Sequence, residues 1–216
     1  MREVVWAVIG LLSGWRAFVL AQRDVVRLRI TGETFGSGRA TKFSAMSLVV
    51  AVVSAALWWQ AAHQFDADFT VLSFGLLIAV GLRLLLVDID THLLPRAMVY
   101  QGIALAVPML FVAALADERG SVSGMLLGAL LMWCLMKILE VLSRGDLGGG
   151  DVTASIFLGL YLGWMSYERL TTAVVSAFAT AGLFALLLLA TGRAGRRTHI
   201  AFGPFLIAGT LIAVLR

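Results

Sequence analysis

Residues 69–87 of the chain read FTVLSFGLLIAVGLRLLLV, and Asp88 follows them directly. Arg83 is the single charged residue in this run. A helix needs about 20 consecutive apolar residues to cross the hydrocarbon core of a bilayer, whereas strands and helices of soluble proteins rarely contain such a run. The stretch therefore predicts a membrane-spanning helix that ends at a carboxylate.

The rest of the chain has the same apolar character. Of its 216 residues, 60% are apolar and 14% are charged, and the mean hydropathy is +0.93. Soluble domains are about half apolar and a quarter charged, so the composition excludes an ordinary soluble protein. In lipid the backbone must satisfy its own hydrogen bonds, which a helix does. We expect one all-α domain, a polytopic membrane protein that covers residues 1–216 and is surrounded by the lipid bilayer.

Eight apolar runs predict about eight transmembrane helices. The sixth and the eighth runs are shorter than the others. The runs are Val4–Ala21, Phe43–Ala62, Phe69–Val87, Ala97–Leu115, Ser121–Leu142, Val152–Met165, Leu170–Ala190 and Ala201–Leu215.

The cations between these runs predict the orientation of the chain. Ten Arg and Lys residues fall on one set of alternating loops, and four fall on the opposite side. By the positive-inside bias, the side with ten cations faces the cytoplasm and both termini face out. The net charge of +4 therefore reflects membrane orientation, and no nucleic-acid partner is expected.

Two polar segments interrupt the apolar background. DIDTHLLP covers residues 88–95 after the third run, and GDLGGGD covers residues 145–151 before the sixth. Two spans separate Asp88 from Asp151, so both return to the same, cytoplasmic face. Ionisable residues at membrane depth are costly and are functional candidates by default. The sequence predicts that Asp88 and Asp151 meet at this boundary.

Two carboxylates in such a place favour a defined chemistry. They cannot both ionise easily, so the pair shares a proton. Aspartic peptidases use this arrangement: one carboxylate activates water, and the protonated partner donates to the amide. Gly148, Gly149 and Gly150 allow a tight backbone path and close approach of an extended substrate strand. An ordinary flexible turn is the alternative interpretation of these glycines.

Three segments together resemble a known family. Residues 88–95 resemble the first aspartate motif of the type IV prepilin leader peptidases, and residues 148–151 resemble their second motif, Gly-x-Gly-Asp. Residues 201–209, AFGPFLIAG, are similar to the segment that opens the family's last span. The three segments occur in family order over most of the chain. The resemblance implies that Asp88 and Asp151 are catalytic and that Pro95 and the three glycines shape the site.

The resemblance also implies an activity and a location. The family members are intramembrane aspartic endopeptidases that remove the short basic cytoplasmic leader from prepilin or pseudopilin precursors, for type IV pilus assembly or protein secretion. We therefore expect a multi-pass protein of the bacterial cytoplasmic membrane that needs no cofactor; its oligomeric state is not predicted. Two alternatives remain: a catalytically silent homologue, and an ion-coupled transporter that uses the same aspartates.

The chain departs from the family pattern at several positions. Many members carry a cytoplasmic insert with paired CxxC motifs that is associated with N-methylation, whereas residues 22–42 contain no cysteine and Cys134 is the only one in the chain. We therefore expect no zinc and no methyl transfer. Other differences are Ser47, Arg96 and Thr153, where the family commonly has Glu, Asn or Asp, and Lys.

The remaining polar residues predict no second site. Asp90 and Asp146 are expected to be solvated loop carboxylates, and His92 is expected to be an ordinary loop residue. His63 lies on the other side of the membrane and His199 lies in a basic loop, so the three histidines predict no metal cluster.

Overall fold

The computed structural model describes residues 1–30, 43–143, 147–191 and 202–216, and the regular structure in these ranges is entirely α-helical. The all-α, polytopic prediction is confirmed. Six of the described helices, α1 to α5 and α7, are long and apolar enough to cross a bilayer, whereas α6 has 17 residues and α8 has 13. The helices are α1 Arg2–Ile30, α2 Phe43–Gln64, α3 Asp68–Thr91, α4 Arg96–Ala116, α5 Val122–Leu142, α6 Gly149–Met165, α7 Tyr167–Ala190 and α8 Gly203–Leu215.

The end of α1 corrects the sequence prediction. The apolar run ends at Ala21, but the helix continues to Ile30, so the loop does not begin at residue 22. Val25 is buried, and Asp24 forms an ion pair with Arg83 of α3 at 2.8 Å. These contacts attach the polar end of α1 to the bundle, which hydropathy alone does not reveal. The other helix ends lie within four residues of the predicted runs.

Glycines bring α5 and α6 into direct backbone contact. Gly124 and Gly128 of α5 face Gly159 and Gly163 of α6. A β-carbon added to Gly128 would lie 2.5 Å from the Cα atom of Gly163, and one added to Gly159 would lie 2.6 Å from the carbonyl oxygen of Gly128. Small residues spaced four apart permit such close packing in membranes. This contact fixes α6 against α5.

Helix α6 is the central element of the bundle. It is buried along most of its length, from Asp151 to Trp164, and it packs against α4, α5, α7 and α8. Helix α7, in contrast, buries only Ala173 and Ala177 and presents a broad apolar face outward. Lipid tails can cover such a face without cost, so the outer helices do not need the burial that a soluble fold requires.

The bundle has two polar ends. Arg2 contacts Asp68 at one end, and Asp88 lies at the other end of the same helix, α3. Asp88 is 20 residues after Asp68, which corresponds to about 30 Å along a helix, the thickness of a bilayer's hydrocarbon core. We call the end that carries Asp88 the aspartate end and the end that carries Arg2 and Asp68 the opposite end.

Candidate active site

The first aspartate lies where α3 ends. Asp88 is only 3% exposed and occupies the last turn of the helix. His92 follows in the left-handed conformation, with φ 52°, and its backbone N–H donates to the Asp88 carbonyl oxygen at 2.8 Å. Such a cap stops a helix abruptly. Pro95 then precedes α4, whose first residue is Arg96, so the chain reverses within a few residues of Asp88.

The second aspartate lies where α6 begins. Gly148 is the N-cap residue, and the backbone N–H of Asp151 donates to the Gly148 carbonyl oxygen at 2.9 Å. Asp151 is therefore in the first turn, where the helix dipole favours a negative charge. Its side chain is 8% exposed. The site thus places one carboxylate at a helix end and the other at a helix start.

The glycines before Asp151 correct part of the sequence prediction. Gly149 and Gly150 belong to the first turn of α6 instead of a loop. A β-carbon on Gly150 would lie 2.6 Å from the carbonyl oxygen of Leu94, and one on Gly149 would collide with the Arg96 guanidinium. The close neighbour of these glycines is the chain's own first motif. Their small size therefore lets the two aspartate motifs pack together, whether or not a substrate strand also approaches.

A third glycine lies between the two carboxylates. A β-carbon on Gly203, the first residue of α8, would lie 2.6 Å from Oδ2 of Asp88 and 3.1 Å from Oδ1 of Asp151. The two oxygens are therefore at most 5.7 Å apart, the sum of these distances. A single water molecule can bridge such a gap with ordinary hydrogen bonds. The structure brings the two predicted aspartates together at one end of the bundle.

One oxygen of the pair lacks a hydrogen-bond partner in the part of the chain that the structure describes. Oδ2 of Asp88 is buried and has no hydrogen-bond partner among the described residues. The side chain of Leu94 lies close to the pair: its Cδ1 atom would be 2.8 Å from a β-carbon added to Gly203. Two carboxylates in apolar surroundings repel each other strongly when both are ionised. The pair is most stable with a single negative charge.

The other predicted residues occupy different positions. Pro95 is half-buried and His92 is exposed. Asp90 is half-buried and lies in the last turn of α3, which corrects the prediction of a solvated loop carboxylate. Thr153 is buried and donates its hydroxyl to the carbonyl oxygen of Gly149 at 3.0 Å, so it supports the start of α6. Asp146 lies outside the described residues.

Sequence reasoning missed Gly203 and Leu94 as parts of the site. Gly203 lay in the third motif, yet nothing in its neighbours in sequence indicates that it faces both aspartates. In the part of the chain that the structure describes, no group of three or more His, Cys, Asp or Glu side chains could hold a metal ion.

Comparisons with known proteins give a consistent set of relatives. No family model and no solved structure matches the chain. A Burkholderia pseudomallei protein named prepilin leader peptidase/N-methyltransferase is 30% identical over 139 residues, 63% of this chain and 43% of that protein. Proteins of the same name from Bacillus subtilis and Myxococcus xanthus are 24% and 26% identical over 81% and 70% of this chain, and over 67% and 45% of their own lengths. The chain spans about half the length of most curated relatives that it matches.

Proposed function

Since this chain is a homologue of the prepilin leader peptidases, we propose that it is an intramembrane aspartic endopeptidase that uses Asp88 and Asp151. One observation carries the assignment. Oxygens of two buried carboxylates, from helices far apart in sequence, lie at most 5.7 Å apart at one end of a transmembrane bundle. Within that limit the two carboxyl groups can share a proton directly or through one water molecule.

The proposed hydrolysis uses the single negative charge that the two carboxyl groups share. The ionised carboxylate takes a proton from the water between the two groups, and the water oxygen attacks the amide carbon. The protonated carboxyl group donates its proton to the carbonyl oxygen. The carboxyl group that took a proton from water then passes it to the amine nitrogen, the C–N bond breaks, and the other carboxylate takes a proton back from the diol as the product acid forms. Neither aspartate needs a fixed role, because the pair exchanges one proton and titrates as a unit. Asp88 and Asp151 are the catalytic residues, and Gly148, Gly149, Gly150, Gly203 and Pro95 shape the site around them.

The position of the site supports a membrane-inserted substrate. Asp88 lies about 30 Å along α3 from the opposite end, so the site is at a membrane boundary. A precursor whose apolar helix crosses the bilayer presents the start of that helix at this depth. We propose a prepilin or pseudopilin precursor whose short basic leader precedes the helix. Asp90, two residues after Asp88 and one before the end of α3, adds negative charge at the same end of the bundle, which favours a basic leader.

Orientation follows from the distribution of cations. The positive-inside bias places the aspartate end at the cytoplasmic face of a bacterial cytoplasmic membrane. A transporter is the weaker alternative because coupling sites in transporters lie near the bilayer midplane, whereas this pair lies at one end of the bundle. A silent homologue is disfavoured by the close approach of both aspartates.

Co-expression with candidate precursors tests the proposal. Wild-type protein should shorten the precursor on a gel, while Asp88→Asn and Asp151→Asn should each abolish cleavage, because residues that act as a unit lose nearly everything singly. Asp90→Asn is the matched control and should retain most activity. Cleavage by either catalytic variant at the wild-type rate would refute the aspartic mechanism.

A further inference from the structure

Two cavities between α1, α3 and α4 share the side chain of Arg83. One, of about 320 Å³, lies at the aspartate end and is lined by Asp24, Arg27, Gln101 and Pro95 among others. The other, of about 510 Å³, is a largely apolar groove. It runs along α1 from Leu20 to Ile9, about 16 Å at helical rise. A polar chamber at the membrane boundary therefore adjoins an apolar groove in the membrane, with Arg83 between them.

Two arginines lie at unusual depth along this path. Arg16 is 14 residues after Arg2, and Arg83 is 15 residues after Asp68, so both lie about 21–23 Å from the opposite end. Charged groups within the hydrocarbon core are costly unless they are paired or reach the interface. Arg83 is paired with Asp24 at 2.8 Å. Arg16 is exposed on the groove and forms no ion pair with any described residue.

We infer that these cavities bind one anionic diacyl phospholipid from the leaflet at the aspartate end. Its phosphate would lie beside Arg83, which lines both cavities, and Arg16, which lines the groove, and an acyl chain would occupy the rest of the groove. The side chains that line the two cavities carry more positive than negative charge, because Asp24 is the single carboxylate among them. This charge favours an anionic headgroup over a zwitterionic one.

The position of Arg16 argues against a protein helix as the occupant. Arg16 is exposed on the groove, and the apolar face of a transmembrane helix would leave its charge unpaired within the hydrocarbon core, whereas a lipid phosphate would pair with it. Inorganic phosphate would leave the apolar part unfilled. A phospholipid matches both the charge and the shape.

Lipid retention can be measured without any activity assay. Purified protein is exposed to equal amounts of phosphatidylglycerol and phosphatidylcholine, and native mass spectrometry counts the lipids that remain bound. Wild-type protein should retain phosphatidylglycerol about tenfold more often. Arg16→Gln should lose most of this preference, since a charge-assisted hydrogen bond to the phosphate disappears. Arg23→Gln, which removes an exposed charge two turns further along α1 and lines neither cavity, should keep it.

A second variant tests the acyl-chain part. Ala79→Leu narrows the groove without changing charge and should reduce retention of both lipids, while thermal melting shows that the fold persists. Equal retention of the two lipids by wild-type protein would overturn the inference, as would identical behaviour of Arg16→Gln and Arg23→Gln. Full displacement of phosphatidylglycerol by millimolar inorganic phosphate would also overturn it, because the groove would then contribute nothing. None of these outcomes depends on peptidase activity.

Discussion

Replacing Gly203 by alanine tests the geometry of the aspartate pair with a single methyl group. The new β-carbon would lie 2.6 Å from Oδ2 of Asp88, 2.8 Å from Cδ1 of Leu94 and 3.1 Å from Oδ1 of Asp151. An ordinary carbon–oxygen contact is longer than the 2.6 Å to Asp88 by roughly half an ångström, so the Asp88 carboxylate must move. The expected displacement is therefore a sizeable fraction of an ångström at the reacting groups.

Stability and catalysis should respond differently to this change. Overpacking usually costs about 1–3 kcal/mol, and the better helix propensity of alanine offsets up to about 1 kcal/mol of that cost. Displacement of catalytic groups by about 1 Å can lower the rate about 100-fold. Since the displacement here is smaller than 1 Å, we expect Gly203→Ala to remain folded and to lose roughly one to two orders of magnitude in cleavage rate.

The assay uses purified protein, a precursor substrate and a thermal melting curve for each variant. Gly182→Ala is the matched control, because a β-carbon on Gly182 would meet nothing within 4 Å. This control should melt at or slightly above the wild-type temperature and cleave at the wild-type rate. A Gly203→Ala protein that cleaves within about threefold of wild type would refute the argument that the two carboxylates work in this arrangement. Loss of folding, visible in the melting curve, would instead show that Gly203 matters for packing.

Three further predictions concern packing, cofactors and α1. Gly159→Leu should separate α5 from α6 and lower the melting temperature strongly, since overpacking costs about 1–3 kcal/mol or more, whereas Gly182→Leu should not. Cys134→Ser should be nearly silent for catalysis, cleavage should continue with a chelator and without a methyl donor, and mass spectrometry of the product should find an unmodified new N-terminus even when the donor is added. Arg83→Gln should destabilise the protein by about 1–3 kcal/mol in chemical unfolding because it leaves Asp24 unpaired. Adding Asp24→Asn to Arg83→Gln should recover part of that loss of stability. If the effects of the two single substitutions on the free energy of unfolding simply added, the two side chains would not be coupled.

Hydropathy predicts the helices well because every apolar span must satisfy its own backbone hydrogen bonds in lipid. A run such as Phe69–Val87 must be helical in lipid, and α3 covers it from Asp68 to Thr91. The end of α1 does not follow this rule. Residues 22–30 leave the apolar pattern, and their helix is held by the burial of Val25 and the pair between Asp24 and Arg83. Those contacts depend on α3, which the local sequence does not specify.

The candidate site, like the helices, could be predicted from the sequence only in part. Counting spans places Asp88 and Asp151 on one face, and the structure brings them together. Their catalytic role remains a prediction. The sequence prediction for the glycines was partly wrong. Gly150 lies against Leu94 of the same chain, so its small size serves the packing of the two aspartate motifs. Gly203 could not have been placed between the aspartates from sequence, since its position depends on how α8 packs against α3 and α6.

The contact of Gly203 with both carboxylates has a consequence for biosynthesis. The pocket is assembled from the end of α3 and the starts of α6 and α8, so its three parts emerge from the ribosome at widely separated times. While α8 is still being translated, the two aspartates lack the backbone that closes one side of their pocket. The proposed peptidase site is therefore complete only after α8 has entered the membrane. Under the proposed function, a nascent chain would be unable to cleave neighbouring precursors until α8 has been inserted.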